Sequence, residues 1–176
     1  MYFNWLKRDK AKLLNDKKNI PVSVILVVIK SRLEFVNAFV LPSIKANNPA
    51  EIIIIDDENL SNQEKRNKGV KQATQEYIFI CDDDVIMPSN HLQILHKAIN
   101  NNPKYVFAYT DYQAIVMDPT THPIGKNYYH KSKEFSLEEL IFKNYIDTCS
   151  LVKKEFFPYF DPEIKRFQDW DLWLTI

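Results

Sequence analysis

Glu76-Tyr77-Ile78-Phe79-Ile80-Cys81-Asp82-Asp83-Asp84 is the stretch that decides the fold. An apolar run with no polar alternation marks a strand buried on both faces, the habit of a parallel sheet. It stops abruptly at three carboxylates. The same pattern occurs upstream in Glu51-Ile52-Ile53-Ile54-Ile55-Asp56-Asp57, and Pro21-Val22-Ser23-Val24-Ile25-Leu26-Val27-Val28-Ile29 is a further β-branched run. Between the runs the period changes to that of a helix. Leu33, Val36, Val40 and Ile44 share one helical face, with Pro42 expected to kink or restart it. A polar helix is expected over residues 63 to 74. Pro88 and Ser89 open another, with Leu92, Leu95 and Ile99 as its apolar face and Ser89 as its N-cap.

Strand and helix alternating in this way predict an α/β fold, a mostly parallel sheet with helices on both faces. Ligands of such sheets bind beyond the carboxyl ends of the strands. Asp56, Asp57, Asp82, Asp83 and Asp84 therefore fall on one rim, the candidate site.

The second half is more mixed. Residues 105 to 117 read as a strand, followed by a turn through Asp118-Pro119 and His122-Pro123-Ile124-Gly125. Ser136-Leu137-Glu138-Glu139 reads as a capping box opening a helix to about Tyr145. Cys149-Ser150-Leu151-Val152 is a short strand, Phe160-Asp161-Pro162 a turn, and Gln168-Asp169-Trp170-Asp171-Leu172-Trp173-Leu174 the start of a helix. No repeat or low-complexity linker divides the chain. A single domain over residues 21–176 is expected, with residues 21–103 as one half and 104–176 as the other. Residues 1–20 are expected to form a basic helical extension tipped by Tyr2, Phe3, Trp5 and Leu6. A solvated leader helix is the preferred reading of that extension, and weak peripheral contact with an anionic membrane surface is the alternative.

Bulk properties exclude several classes. The chain has 176 residues, 45% of them hydrophobic, and its 23 basic side chains balance 23 acidic ones, so no global field favours nucleic acid. The longest apolar run is far shorter than the roughly 20 residues of a membrane span. The two cysteines form no C-x-x-C pair and suit small buried residues of a reducing, cytoplasmic compartment. There are only two glycines, Gly69 and Gly125, where average usage would give about a dozen. A glycine-rich phosphate cradle of the G-x-G-x-x-G or P-loop kind is therefore excluded. Codon bias explains much of that shortage, but its consequence for phosphate binding stands.

Three adjacent Asp residues repel one another, and a divalent cation removes that cost. Hard cations such as Mg²⁺ or Mn²⁺ prefer carboxylate oxygens shared with substrate phosphates. Along an extended chain Asp82 and Asp84 point to the same side, a D-x-D chelate, and Asp83 points away unless the backbone has turned. His91 and His96 are expected to be solvated or helix-capping rather than metal ligands. Tyr109, Asp111, Tyr112, Tyr128, Tyr129, His122 and His130 could line an acceptor site or simply pack.

Four segments in order carry a resemblance to the inverting, nucleotide-sugar-dependent glycosyltransferases of family 2, with the GT-A (Rossmann-like) fold. They are Val22 to Leu26; Glu51 to Asp57; Arg66-Asn67-Lys68-Gly69 with Glu76 to Pro88; and Phe160-Asp161-Pro162 with Gln168 to Leu174. The resemblance implies a sugar transferred from a nucleotide diphosphate, a UDP-sugar first, to a glycan, polysaccharide or lipid-linked acceptor. The expected location is the cytoplasm, with the inner membrane surface as the option the basic extension leaves open. It implies donor binding by Asp56, Asp57, Arg66 and Asp82, a Mn²⁺ or Mg²⁺ ion on Asp83 and Asp84, and Asp169 as general base. An inverting transferase needs one carboxylate to take the acceptor proton, and a helix N-terminus suits its charge. Asp169 as a plain N-cap is the bland reading, with Trp170, Leu172 and Trp173 as core.

The chain also departs from the family pattern. Lys30-Ser31-Arg32 replaces the Pro-Thr-Tyr-Asn-Arg-like turn, with Arg32 matching its Arg. Gln168 stands for the usual Glu, and a helix and strand are missing between Asp57 and Arg66. Counted back from Pro88, Cys81 can take the place of the first Asp of the metal motif. The chain stops soon after the base motif, which reads as a truncated C-terminus. A catalytically silent nucleotide- or partner-binding domain is the alternative function.

Overall fold

The computed structural model describes residues 19–115 and 127–176. The N-terminal extension up to residue 18 and the turn through Asp118 and His122 lie outside the described residues. Three strands form the parallel part of the sheet: β1 (Ile20–Val27), β2 (Pro49–Ile55) and β3 (Tyr77–Asp82). β4 (Phe107–Ala108) and β7 (Leu151–Lys153) complete the order β2-β1-β3-β7-β4, with β7 antiparallel to both neighbours. A separate two-stranded sheet pairs β5 (Tyr112–Ala114) with β6 (Tyr128–His130).

Helices cover both faces, as the strand periodicity requires. On β1 the side chains of Val22, Val24 and Leu26 face one core, with Val36, Val40 and Ile44 of α1 (residues 30–46) and Leu92, Leu95 and Ile99 of α3 (His91–Asn100). Ile25 and Val27 face the other, with Val70 of α2 (Asn62–Gln72), Leu140 of α4 (Leu137–Phe142) and Trp173 of α5 (Gln168–Thr175). Alternation along β1 thus fills two cores from one strand. Gly69 lets α2 approach: a Cβ there would lie 2.3 Å from Ile25 Cγ2.

Pro42 does restart the regular helix within α1: Leu41–Ala46 is a fresh α-helical segment with Pro42 in its first turn, and the turn before it, Val36–Val40, widens to π spacing. Several other local expectations are corrected. Ser89 is not the cap of α3. Asn90 occupies that position without a side-chain bond, and Asn47, at the end of α1, accepts from Leu92 N–H at 3.0 Å. The capping box is complete at Ser61 and Glu64, opening α2. At Ser136 the hydroxyl accepts from Glu139 N–H, and α4 ends at Phe142, short of Tyr145. The strand expected over residues 105 to 117 is interrupted: β4 belongs to the main sheet and β5 to the small one. Between them Asp111 accepts from the N–H and hydroxyl of Ser132, at 2.7 and 2.6 Å, and this ties the crossing chain to the segment after β6.

His91 and His96 are packing residues. They lie edge-on to Phe79 and Tyr77 of β3, with centroids 5.7 and 4.9 Å apart. Residues 56 to 61 are the whole link between β2 and α2, so no further helix and strand intervene.

Candidate active site

Register puts the carboxyl ends of the parallel strands level. Val27 pairs with Ile55 on one side and with Asp82 on the other. Asp56 and Asp82 therefore emerge on one rim. β3 ends at Asp82, where Val85 N–H closes a turn on the Asp82 carbonyl at 3.2 Å. Strand alternation stops there, and Asp83 and Asp84 both meet the same guanidinium. The simple picture of Asp82 and Asp84 on one side with Asp83 opposed does not hold.

A cleft of about 210 Å³ opens at this rim, lined by Ile29, Arg32, Arg66, Asp82, Asp83 and Asp84 among others. Asp83 is 6% exposed with both oxygens engaged, Oδ2 by Ile29 N–H at 2.9 Å and Oδ1 by Arg32 at 2.6 Å. The same Arg32 nitrogen reaches Asp84 Oδ2 at 2.9 Å. Asp82 accepts from Arg66 at 2.7 Å through Oδ1. Among the described residues no three His, Cys, Asp or Glu side chains converge as a preformed metal cage.

Two of the three aspartates still suit a hard cation. The hydrogen bonds of Asp82 and Asp84 use one oxygen each, and their donor set of two carboxylates is what Mg²⁺ or Mn²⁺ takes alongside phosphate and water. Asp83 is instead a strut that ties the end of β3 to the end of β1.

Arg66 is the joint of the site. Its guanidinium lies 5.1 Å over the Phe160 ring, donates to Asp82, and reaches Gln168 Oε1 at 3.3 Å. Its Nε is buried without a hydrogen-bond partner among the described residues. The next residue, Asn67, clamps Phe160 by accepting from its N–H and donating to its carbonyl, at 2.8 and 2.7 Å. α2 thereby fastens the carboxylate rim to the start of α5. Gln168, a neutral side chain where a carboxylate would be usual, leaves Asp82 as the acidic partner of Arg66.

Asp169 lies in the first turn of α5, and the N-cap is Phe167, at φ 59°. Asp169 is thus not the cap. Its Oδ2 accepts from Asn144 Nδ2 at 2.7 Å. Leu172 and Trp173 are buried, as their core reading required, and Trp173 Nε1 donates to the Ile146 carbonyl at 3.1 Å. Asp56 and Asp57 stand outside the cleft lining, at the end of β2. Asp57 is held below the usual carboxylate range by its bond to Lys68 and by Asn59.

Sequence reasoning missed three residues. Lys65 is 2% exposed and donates to the Val28 carbonyl at 3.0 Å, just beyond β1. Asn144 and Asp147 shape the loop before β7, each accepting a backbone N–H two residues on, from Ile146 and Cys149. Such Asx turns have a local signature, but their position beside Asp169 does not. Burial pushes Asp147 up, and the charges of Asp82 and Asp169 add to the effect. Asp147 thus lies within electrostatic reach of both Asp82 and Asp169. Burial also raises both thiols, Cys81 and Cys149, which fits inert packing residues.

Comparison with known proteins agrees with this geometry. The profile of "Glycosyl transferase family 2" matches residues 46–160, a span that holds Asp56, Asp57, Arg66 and Asp82 to Asp84. "Uncharacterized glycosyltransferase YwdF" of Bacillus subtilis (strain 168) is 23% identical over 124 residues, covering 67% of this chain and 45% of its own length. The crystal structure of S. aureus TarS 1-349 superposes with a TM-score of 0.61 at 12% identity, over 89% of this chain and 55% of that one. The chain spans about half the length of these relatives. No described helix is long and apolar enough to cross a membrane. With the carboxylate-tipped parallel strands, the arginine joint and the profile match together, the chain belongs to glycosyl transferase family 2 and has the GT-A fold.

Proposed function

We propose that this chain carries the donor site and base of an inverting glycosyltransferase that moves a sugar from a nucleotide diphosphate to a glycan, polysaccharide or lipid-linked acceptor. One observation carries the reading: a single buried guanidinium, Arg66, touches both Asp82 of the rim and Gln168 beside Asp169. Donor and base motifs are thereby set across one residue. Asp56 and Asp57 would face the nucleoside, Arg66 and Asp82 the ribose and diphosphate, and a UDP-sugar is the first donor to test. Asp84 with the second oxygen of Asp82 would hold Mn²⁺ or Mg²⁺, and Asp83 would join only if Arg32 released it. A divalent cation bound there neutralises the charge of the departing diphosphate. Asp169 accepts the acceptor hydroxyl proton as that oxygen attacks the anomeric carbon. Asn144, whose carbonyl is pinned by Ile146 N–H, aims the Asp169 carboxylate. The N-terminal extension would supply a weak peripheral membrane contact.

A thermal-shift screen of nucleoside diphosphates with and without Mn²⁺ tests the class. Stabilisation by one nucleotide, and only with the metal, is expected; no shift with any of them defeats the reading. The short link from Asp57 to Ser61 favours a second reading, a binding domain without turnover. Donor turnover that disappears in Asp169→Asn while nucleotide binding persists decides between the two.

A further inference from the structure

The main sheet has two edges, and they are not alike. β4 closes one with only two residues, Phe107 and Ala108, and so short an edge offers little to pair with. β2 closes the other with seven, Pro49–Ile55, and the chain passes from it into α2 with no further strand. Val28 N–H donates to the Ile55 carbonyl, so the main-chain groups of Ile55, Ile53 and Glu51 turn towards β1. Those of Ile52 and Ile54 turn outward, and they have no hydrogen-bond partner among the described residues. The devices that guard open edges are missing from this strand. Its pairing with β1 runs without a bulge from Glu51 to Ile55, its proline stands at the first position, and it carries no lysine. Its one charge, Glu51, is engaged inside the molecule by the Ser23 hydroxyl and by Thr74 N–H. Ile54 is 47% exposed.

We propose that β2 is an interface at which a second copy of this chain adds its own β2, antiparallel, about a two-fold axis through Ile53. One sheet then runs through both copies. Register and charge choose this occupant. Only residues whose main-chain groups turn outward can bond across the open edge. About that axis Ile52 and Ile54 of one copy meet Ile54 and Ile52 of the other, and Ile53 faces Ile53. The exposed Asp56 then lies opposite Ala50 of the second copy, clear of another acid. The strand leads at its carboxyl end into Asp56, Asp57 and Glu58. Its amino end is basic: Lys45 is exposed in the last turn of α1, and Lys17 and Lys18 precede β1 in the chain, where Ile20 pairs with Pro49. An antiparallel pair sets each acidic end against a basic one, whereas a parallel pair would set acid against acid.

Sedimentation velocity on the full chain over a concentration series tests this, together with hydrogen exchange at the Ile52 and Ile54 amides. The wild type should pass from a 20.8 kDa monomer to a species of twice that mass, and both amides should gain protection as it does. Ile54→Lys alters a half-exposed side chain and should raise the dimer dissociation constant about a hundredfold, tenfold for each of its two symmetric copies. Ile53→Cys places two thiols on the axis, where the Cα atoms of a non-hydrogen-bonded antiparallel pair lie about 4.5 Å apart. With an added oxidant that variant should form a disulfide-linked dimer, and the wild type, with Cys81 and Cys149 alone, should not. Melting curves show whether each variant is folded, and the cysteine variant carries the test if the lysine one is not. A wild type that stays monomeric at every concentration overturns the interface, as does a folded Ile54→Lys that dimerises as tightly as the wild type. Protection of the two amides in a monomer would give the edge to another segment of the same chain and overturn the interface as well.

Discussion

The donor rim and the base motif both depend on aspartates, yet the two are held by opposite means. Asp82, Asp83 and Asp84 are paired with guanidinium groups, while Asp169 is held by the neutral amide of Asn144. The first arrangement cancels charge. The second orients a carboxylate that has no ion-pair partner among the described residues, which suits a proton acceptor. The scaffolds differ as well. The rim stands on strands of six to eight residues, of which β1 and β3 are buried on both faces, whereas β4, β5, β6 and β7 are two or three residues long. Where strands are short, side-chain bonds to backbone take over the positioning, as at Asn144, Asp147 and Ser150.

The sharpest way to break this contrast is at Asp169. Asp169→Asn should lower donor turnover by about 10²- to 10⁴-fold while nucleotide affinity stays within twofold, roughly the span of a lost general base. If calorimetry shows nucleotide affinity falling in step with turnover, the base has been misassigned. Arg66→Ala tests the other region. It leaves Asp82 without its partner and removes the stacking on Phe160, so urea denaturation should show a loss of about 2 kcal/mol, below the figure for a fully buried pair because Asp82 is a third exposed. Nucleoside diphosphate affinity should drop in the same variant, by about tenfold, the scale of one lost charged contact. A variant as stable and as tight as the wild type would remove Arg66 from the joint.

Asn144→Ala is a smaller probe, expected to lower kcat about tenfold with the donor KM unchanged, since only the aim of Asp169 is lost. A change confined to KM would place Asn144 in binding instead.

The smallest effect concerns Asp147, whose folded pKa is raised, mainly by burial. Such a group favours the fold fully below its unfolded value of about 3.9, and that contribution is lost as pH rises through the folded value. At pH 7 the charged Asp147 therefore weakens the fold. Asp147→Asn keeps an oxygen to accept from Cys149 N–H, so its melting temperature should exceed the wild type's at pH 7, roughly 2 °C being enough to detect. The gain should fade below pH 4. A variant melting at or below the wild type at neutral pH would show that Asp147 is not strained by its surroundings.

Much of the donor half was legible in the chain itself. Apolar runs without alternation announced β1, β2 and β3, and the acids closing the second and third runs lie on one rim because parallel strands share a direction. The core role of Leu172 and Trp173 was legible for the same reason. The interrupted strand after Phe107 was not: residues 105 to 117 read as one strand, yet Asp111 binds Ser132 and the chain changes sheets. Nor was the cap of α3, since Asn47 lies 45 residues from the N–H it receives.

What the sequence alone determined, then, is the layering and the rim on which the acids stand. Burial is periodic, and the period shows in residues two to four apart. Only the tertiary structure decided which carboxylate oxygens are engaged and by whom. Arg66 finds Asp82 across 16 residues and Gln168 across 102, Arg32 finds Asp83 across 51, and Asn144 finds Asp169 across 25. Charge pairs and hydrogen bonds choose partners by distance in space, and no local pattern in a chain encodes that distance.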